Sequence, residues 1–344
     1  MIAPQASRGR LTELDALRGI GALLVLNFHF TTRFHELFPR APHVQFHIGG
    51  GNYRVLLFFA ISGFAIFFSM AKLETAWDFI AGRAVRLLPA YWAAMILTLA
   101  IEHLGHVSGL YVSSFATVVN LSMLQGFFYI PHVDGAYWTL TVEIAFYICM
   151  LALWLLLRLR HIERVILGWL VLKLLCLWLW PDMPDRLSLL LNLKYVAFFA
   201  IGMVTYRVWA GQRSWGQQAP VLLMIVATIA ASETEDVFLV SLAIVAAFWA
   251  MVEGYLGWIS LSPLLWVGRI SYSLYLVHQH IGFTIMLKAD EAGLGPLWGF
   301  AMALSCAFLL GAFVNRYVER PAARYLLARW KQRRLGAVRL AVRS

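Results

Sequence analysis

The sequence predicts an all-α, polytopic membrane bundle of about ten transmembrane helices, and two observations predict it. Of 344 residues, 61% are hydrophobic and 13% charged, with a mean hydropathy of +0.72, whereas soluble domains carry about a quarter charged residues. Lys and Arg, in turn, collect in alternate inter-span segments, as they do on the cytoplasmic side of membrane proteins. The net charge of +10 therefore reads as topology, and nucleic acid is not an expected partner. Cys149, Cys176 and Cys306 sit in apolar runs, odd in number and without metal-ligand spacing, so packing explains them better than a disulfide framework.

A span needs about 20 mostly apolar residues. That criterion places spans at 15–34, 54–71, 87–104, 137–157, 162–180, 187–208, 219–235, 236–254, 263–287 and 296–315. The first follows Arg8 and Arg10 as a signal peptide would, yet it holds Asp15 and Arg18, and no small-residue cleavage site follows closely, so it reads as a retained span. With the N-terminus inside, the inner segments take Arg8, Arg10, Arg18, Lys72, Arg83, Arg86, Arg158, Arg160, Arg164, Arg207, Arg213, Arg269 and every Lys and Arg from Arg316 onward. Arg33, Arg40, Arg54, Arg186, Lys194 and Lys288 fall outside, and Lys173 is left mid-span. An even number of crossings with both termini cytoplasmic satisfies this distribution. Residues 113–130 are apolar enough to cross, but a crossing would turn Arg158, Arg160 and Arg164 outward, so they read as a re-entrant or interfacial segment. The seventh span is short and precedes the acidic Glu233, Glu235 and Asp236. Residues 1–344 form a single domain, with a core at 11–321 and a basic tail at 322–344 whose RWKQRR faces lipid headgroups.

Arg18 and His29 share the first apolar run. Eleven helical steps return nearly to the starting azimuth, so both lie on one face, about 16 Å apart along the axis. An ionisable group at membrane depth costs roughly 2.5–3.5 kcal/mol on insertion scales, which makes each a candidate for function. An imidazole can deprotonate an attacking hydroxyl near neutral pH; it can equally bind a neighbouring helix. In FFAISGF (58–64), Ser62 and Gly63 permit close helix approach or access of a ligand chain. Arg83 and Arg86 lie one turn apart at the cytoplasmic mouth and, with Arg18, can hold phosphates, although positive-inside topology also puts arginines there. Glu143 sits in YWTLTVEIAFY (137–147) on one stripe with Thr139 and Tyr147, able to orient an imidazole, bind a hydroxyl or pair with an arginine. Ser271, Tyr275 and His278 align in GRISYSLYLVHQHI, lining an interior or forming a polar packing seam. Outer-face Tyr129, Tyr137 and Trp138 can stack on sugar or serve as ordinary interfacial aromatics. His35, His43, His47, His132 and Asp134 lack metal-site spacing, and no metal is assigned.

This ordered set, Arg18 with His29, FFAISGF, Arg83 and Arg86 before Leu87 and Pro89, the Trp138–Tyr147 run with Glu143, and VERP at 318–321, resembles the membrane-bound acyltransferase-3 family over residues 11–321. The resemblance implies an integral-membrane O-acyltransferase of the cytoplasmic membrane. Its donor would be cytoplasmic acyl-coenzyme A, usually acetyl-CoA, and its acceptor a hydroxyl of a saccharide or lipid-linked saccharide. It implies a catalytic role for His29, an essential one for Arg18, and donor contacts for Arg18, Arg83, Arg86, Phe58, Phe59, Ser62 and Gly63; the reading of the residues adds Glu143 as a catalytic candidate and Trp138, Tyr275 and His278 as candidate acceptor contacts. Transfer can be direct or pass through an acyl-histidine. Paired ionisable groups at mid-membrane also build proton-coupled carriers, the alternative function, although no inverted repeat is detectable. A scaffold subunit would leave the Arg18–His29 spacing unexplained.

Overall fold

The computed structural model describes residues 11–45, 53–70, 73–107, 109–157, 159 and 161–341. Arg8, Arg10, His47, Lys72, Arg158, Arg160 and the last three residues of the tail lie outside the described residues. Among the described residues the chain is all-helical, without strands. Five helical stretches are long and apolar enough to cross a membrane: Ala76–Gly105, Gly135–Leu156, Trp215–Ser232, Glu235–Val252 and Pro296–Arg334. The protein is an integral membrane protein.

Helix α1 (Thr12–Phe28) runs through a π-helical turn (His29–Arg33) into α2 (Phe34–Leu37). Two side chains account for the wide turn. His29 Nδ1 and Thr31 Oγ1 donate to the carbonyls of Val25 and Asn27, at 3.0 and 2.7 Å, and the Phe34 N–H reaches back to His29 O instead of the usual acceptor one residue nearer.

After α3 (Arg54–Met70) comes α4 (Ala76–Gly105), which begins well before the expected 87 because Thr75 and Asp78 close a capping box on its first turn. Residues 113–130 form α5 (Ser114–Asn120) and a 3₁₀ turn (Gln125–Phe128). At 1.5 Å per residue α5 is about 10 Å long, a third of a hydrocarbon core, so this segment does not cross as one helix. Next come α6 (Trp138–Leu157) and α7 (Ile162–Leu179). The expected span 187–208 is divided into α8 (Asp185–Leu190) and α9 (Val196–Trp209), because Asn192 between them adopts a left-handed φ of 53° that no helix continues.

Helices α10 (Trp215–Ser232) and α11 (Glu235–Val252) are separate, α10 opening on a Ser214–Gln217 capping box. The expected span 263–287 is bent into α12 (Ser262–Val277) and α13 (Gln279–Glu291) at His278, whose Nδ1 takes the Tyr275 carbonyl at 2.7 Å. Finally α14 (Pro296–Val314) passes through a second π turn (Asn315–Glu319) into α15 (Arg320–Ala341). Part of the basic tail is docked on protein and not free for headgroups: Trp330 Nε1 and Arg334 bind the two oxygens of Asp78 at 3.0 and 2.8 Å. Lys173, left mid-span by the sequence, is buried and paired with Glu233 at 2.7 Å.

Helix α3 packs on α9 and α1 on α12. Lipid tails are as apolar as leucine, so these contacts depend on close fit more than on a hydrophobic driving force. A Cβ on Gly63 would stand 2.0 Å from Phe199 O, and one on Gly202 would stand 1.9 Å from Ala60 O. Gly63 is therefore a helix-contact residue, and the expected ligand-chain passage does not run along it. Gly202→Ala is expected to force α3 and α9 apart at a cost of about 1–3 kcal/mol, read as a lowered thermal midpoint in detergent; an unchanged midpoint would refute the tight contact.

Candidate active site

The arginine-bearing ends of α1 and α4 face each other and, with α3 and Trp209, enclose a vestibule of about 570 Å³ lined by Arg18, Arg83 and Arg86. Arg18 and Arg86 also line a second space, a chamber of about 90 Å³ deeper between α3, α6 and α12. These two guanidinium groups thus form the throat between vestibule and chamber. Phe58, Phe59, Ser62, Glu143 and Tyr275 line the chamber as well. Side chains singled out separately along the sequence therefore converge on one cavity.

The polar groups around it are tied down. Arg18 pairs with Asp15, one turn away, at 3.2 Å. Glu143 Oε1 accepts from Ser62 Oγ at 2.9 Å and from the Tyr147 hydroxyl. Arg83 lies over the rings of Phe79 and Tyr147, 5.8 and 5.7 Å from their centroids. Arg86 differs: it is exposed to the cavity and, among the described residues, donates no hydrogen bond, although Glu143 and Glu319 are within electrostatic range. Glu319, from the VERP motif, is held by Ser273 at 2.6 Å and by Asn315 at 2.8 Å.

Tyr275 closes the chamber at its far end. Its hydroxyl donates to Ala136 O at 2.8 Å and receives Thr139 Oγ1 at 2.8 Å. Behind it the rings continue, His278 at 5.4 Å from Tyr275 and His29 at 4.8 Å from His278. His29, partly buried, does not line the chamber, and neither does the fully buried His278. Arg18 and His29, expected on one helix face, therefore differ in surroundings: Arg18 lines the chamber and His29 lies behind it, reached from Tyr275 through His278. His278, expected as an acceptor contact, is buried and partners His29 without lining the chamber, and Trp138 packs on Phe59 and Tyr195 beside the chamber, outside its lining.

The carbonyls determine the tautomers. Tyr275 O can only accept, so His278 carries its proton on Nδ1 and leaves Nε2 as an acceptor. His29 Nδ1 lies 3.0 Å from Val25 O and 3.1 Å from His278 Nε2, so it donates to both. His29 Nε2 is left with a free lone pair, the atom that can act as a base.

Sequence reasoning missed a second polar cluster at this far end. Glu102, His280 and Asp134 are all buried. His280 Nδ1–H donates to Glu102 at 2.5 Å, while His280 Nε2 accepts from the Gly135 N–H at 3.1 Å. Asp134 accepts from the backbone of His280 and of Ala136. The cluster thereby positions Ala136, whose carbonyl holds Tyr275. A signal was present, since His280 is two residues beyond His278 and Glu102 is an acidic residue inside the expected span 87–104.

The family model described as an acyltransferase domain, acyltransferase-3, matches residues 11–317. The exopolysaccharide production protein ExoZ of Rhizobium meliloti (strain 1021) is 28% identical over 331 residues, covering 88% of this chain and 97% of ExoZ. No solved structure matches.

Proposed function

The chain belongs to the acyltransferase-3 family, and from that premise we propose that it moves an acyl group, acetyl in the first instance, from cytoplasmic acyl-coenzyme A to a hydroxyl of an exopolysaccharide or its lipid-linked precursor. The observation that carries this reading is the arginine-lined vestibule opening through Arg18 and Arg86 into a small chamber. A guanidinium that donates to no neighbouring residue and is exposed in a cavity suits the phosphates of the donor. The chamber beyond it, about 90 Å³, is several times the roughly 10–15 Å³ that holds one water and has room for a small acyl group. In this arrangement the chain crosses the cytoplasmic membrane ten times, with vestibule and both termini on the cytoplasmic side and His29 toward the outer face.

His29 Nε2 takes the proton of the acceptor hydroxyl as its oxygen bonds to the thioester carbon. The C–S bond then breaks, and the proton passes from the imidazolium to the departing thiolate. Glu143, between Ser62 and Tyr147, places a fixed negative charge beside Arg18 and Arg86 and keeps the throat electrostatically balanced. Movement of the Tyr275 ring joins the chamber to His29. Neither an acyl-histidine nor any metal is required by these steps.

The test is acyl transfer from labelled acetyl-coenzyme A by the purified protein in liposomes. Arg86→Gln removes one charge-assisted contact, about 1.5–3 kcal/mol, and is expected to raise the donor KM about ten- to hundredfold. A wild-type protein that neither binds nor turns over the donor while dissipating a solute gradient would replace this reading with a carrier.

A further inference from the structure

At the end of the bundle away from the arginine vestibule, a separate pocket of about 180 Å³ opens between α6, α8 and the start of α9. Tyr129, Asp185, Arg186, Asn192, Lys194 and Tyr195 line it. None of these side chains serves the donor side described above. The Tyr195 ring lies 4.8 Å from that of Phe59, and Phe59 lines the chamber. One pair of aromatic rings therefore separates the two spaces.

The pocket's chemistry is mixed in an informative way. Arg186 lies 4.4 Å from the Tyr129 ring centroid and Lys194 lies 5.5 Å from that of Tyr195, so two cations accompany two aromatic faces. Asn192 is 2% exposed and gives its Nδ2 to Val142 O at 2.8 Å, which identifies the other atom as the oxygen, and that oxygen has no partner among the described residues. A buried acceptor without a donor costs about 1–3 kcal/mol unless a ligand supplies one. Cations call for an anion, whereas Asn192 Oδ1 and the Asp185 carboxylate call for hydroxyl donors, and the tyrosine faces call for a ring with an apolar face. A simple phosphodiester offers acceptors alone and leaves Asn192 unsatisfied.

We propose that this pocket binds a carboxylate-bearing sugar unit of the acceptor polysaccharide, held by Arg186 and Lys194 through its carboxylate, by Asn192 and Asp185 through its hydroxyls, and by Tyr129 and Tyr195 through its ring face. The proposal rests on the acyltransferase reading for the identity of the saccharide as acceptor. Its volume lies below the roughly 300–1,000 Å³ of pockets for drug-sized ligands, so it takes one unit of a chain whose neighbours extend beyond it. The site selects acidic repeat units and anchors them one ring pair away from the donor chamber.

Binding is measured by titration calorimetry on the full chain in zwitterionic-lipid nanodiscs, with a galacturonic-acid hexasaccharide and its carboxyl-reduced counterpart as probes. The acidic probe is expected to bind about tenfold more tightly than the reduced one, a difference of one charge-assisted contact. Arg186→Gln with Lys194→Gln is expected to abolish that preference, and Tyr129→Ala to weaken both probes, each variant keeping its helical circular dichroism and thermal midpoint. Equal affinity for the two probes, or an undiminished preference in the double variant, overturns the proposal. So does displacement of the acidic probe by nanodiscs containing phosphatidylglycerol, which would make the pocket a lipid-headgroup site. No donor enters this measurement, so its failure leaves the acyl-transfer reading intact, and that reading fails separately, in the acetyl-coenzyme A assay.

Discussion

His29→Ala is expected to lower acyl transfer from acetyl-coenzyme A by about 10²- to 10⁴-fold, the contribution typical of a positioned general base, with little change in the donor KM. The residue is partly buried and its Nδ1–H binds Val25 O and His278 Nε2, so a modest drop in thermal midpoint is expected beside the loss of activity, and rates are compared on folded protein. His278→Gln tests how the imidazole is oriented. The Val25 carbonyl still accepts His29 Nδ1–H at 3.0 Å, and the glutamine oxygen can replace His278 Nε2, so this variant should retain most activity. His278→Phe, which removes that acceptor, should fall between His29→Ala and wild type. Transfer rates in His29→Ala equal to wild type would remove the imidazole from the reaction altogether.

A large loss of stability is expected from His280→Ala. Its partner Glu102 has a side chain 1% exposed, 2.5 Å from His280 Nδ1, and its second oxygen is already without a hydrogen bond among the described residues. Removing the imidazole takes from the buried carboxylate its hydrogen-bond donor, at a cost of about 1–3 kcal/mol and more for a charged group. Glu102→Gln keeps an acceptor for His280 Nδ1–H and should cost far less. Denaturant or thermal unfolding in detergent separates the two, and equal midpoints for His280→Ala and wild type would show the pair to be unimportant. Activity should fall along with stability, because the Gly135 N–H bonded to His280 begins the turn whose Ala136 carbonyl holds Tyr275.

Much of the site was legible along the chain for a reason that begins with desolvation. Arg18, Arg86 and Glu143 are conspicuous because a charge within an apolar run is costly wherever the run ends up, and all three line the chamber together with Phe58, Phe59, Ser62 and Tyr275. Gly63 was visible for the same motif but has a different job, since a small residue in a helix reports close approach without reporting of what. Glu102 and Lys173 were hard to interpret because their partners, His280 and Glu233, are far away in sequence. The bends at His29 and His278 were equally hidden, since each arises when a side chain takes a backbone carbonyl from its own helix.

Burial in lipid, the approximate helical segments and the residue types admitted among them follow from the chain alone, because hydropathy and the cost of charge are properties of each local stretch. Which guanidinium is left with unused donors, which imidazole nitrogen is free, and that Arg18 lines the chamber while His29 does not were decided only by the tertiary structure. Those outcomes depend on the azimuth of each helix after its bends and on which carbonyl or carboxylate a distant segment brings within about 3 Å.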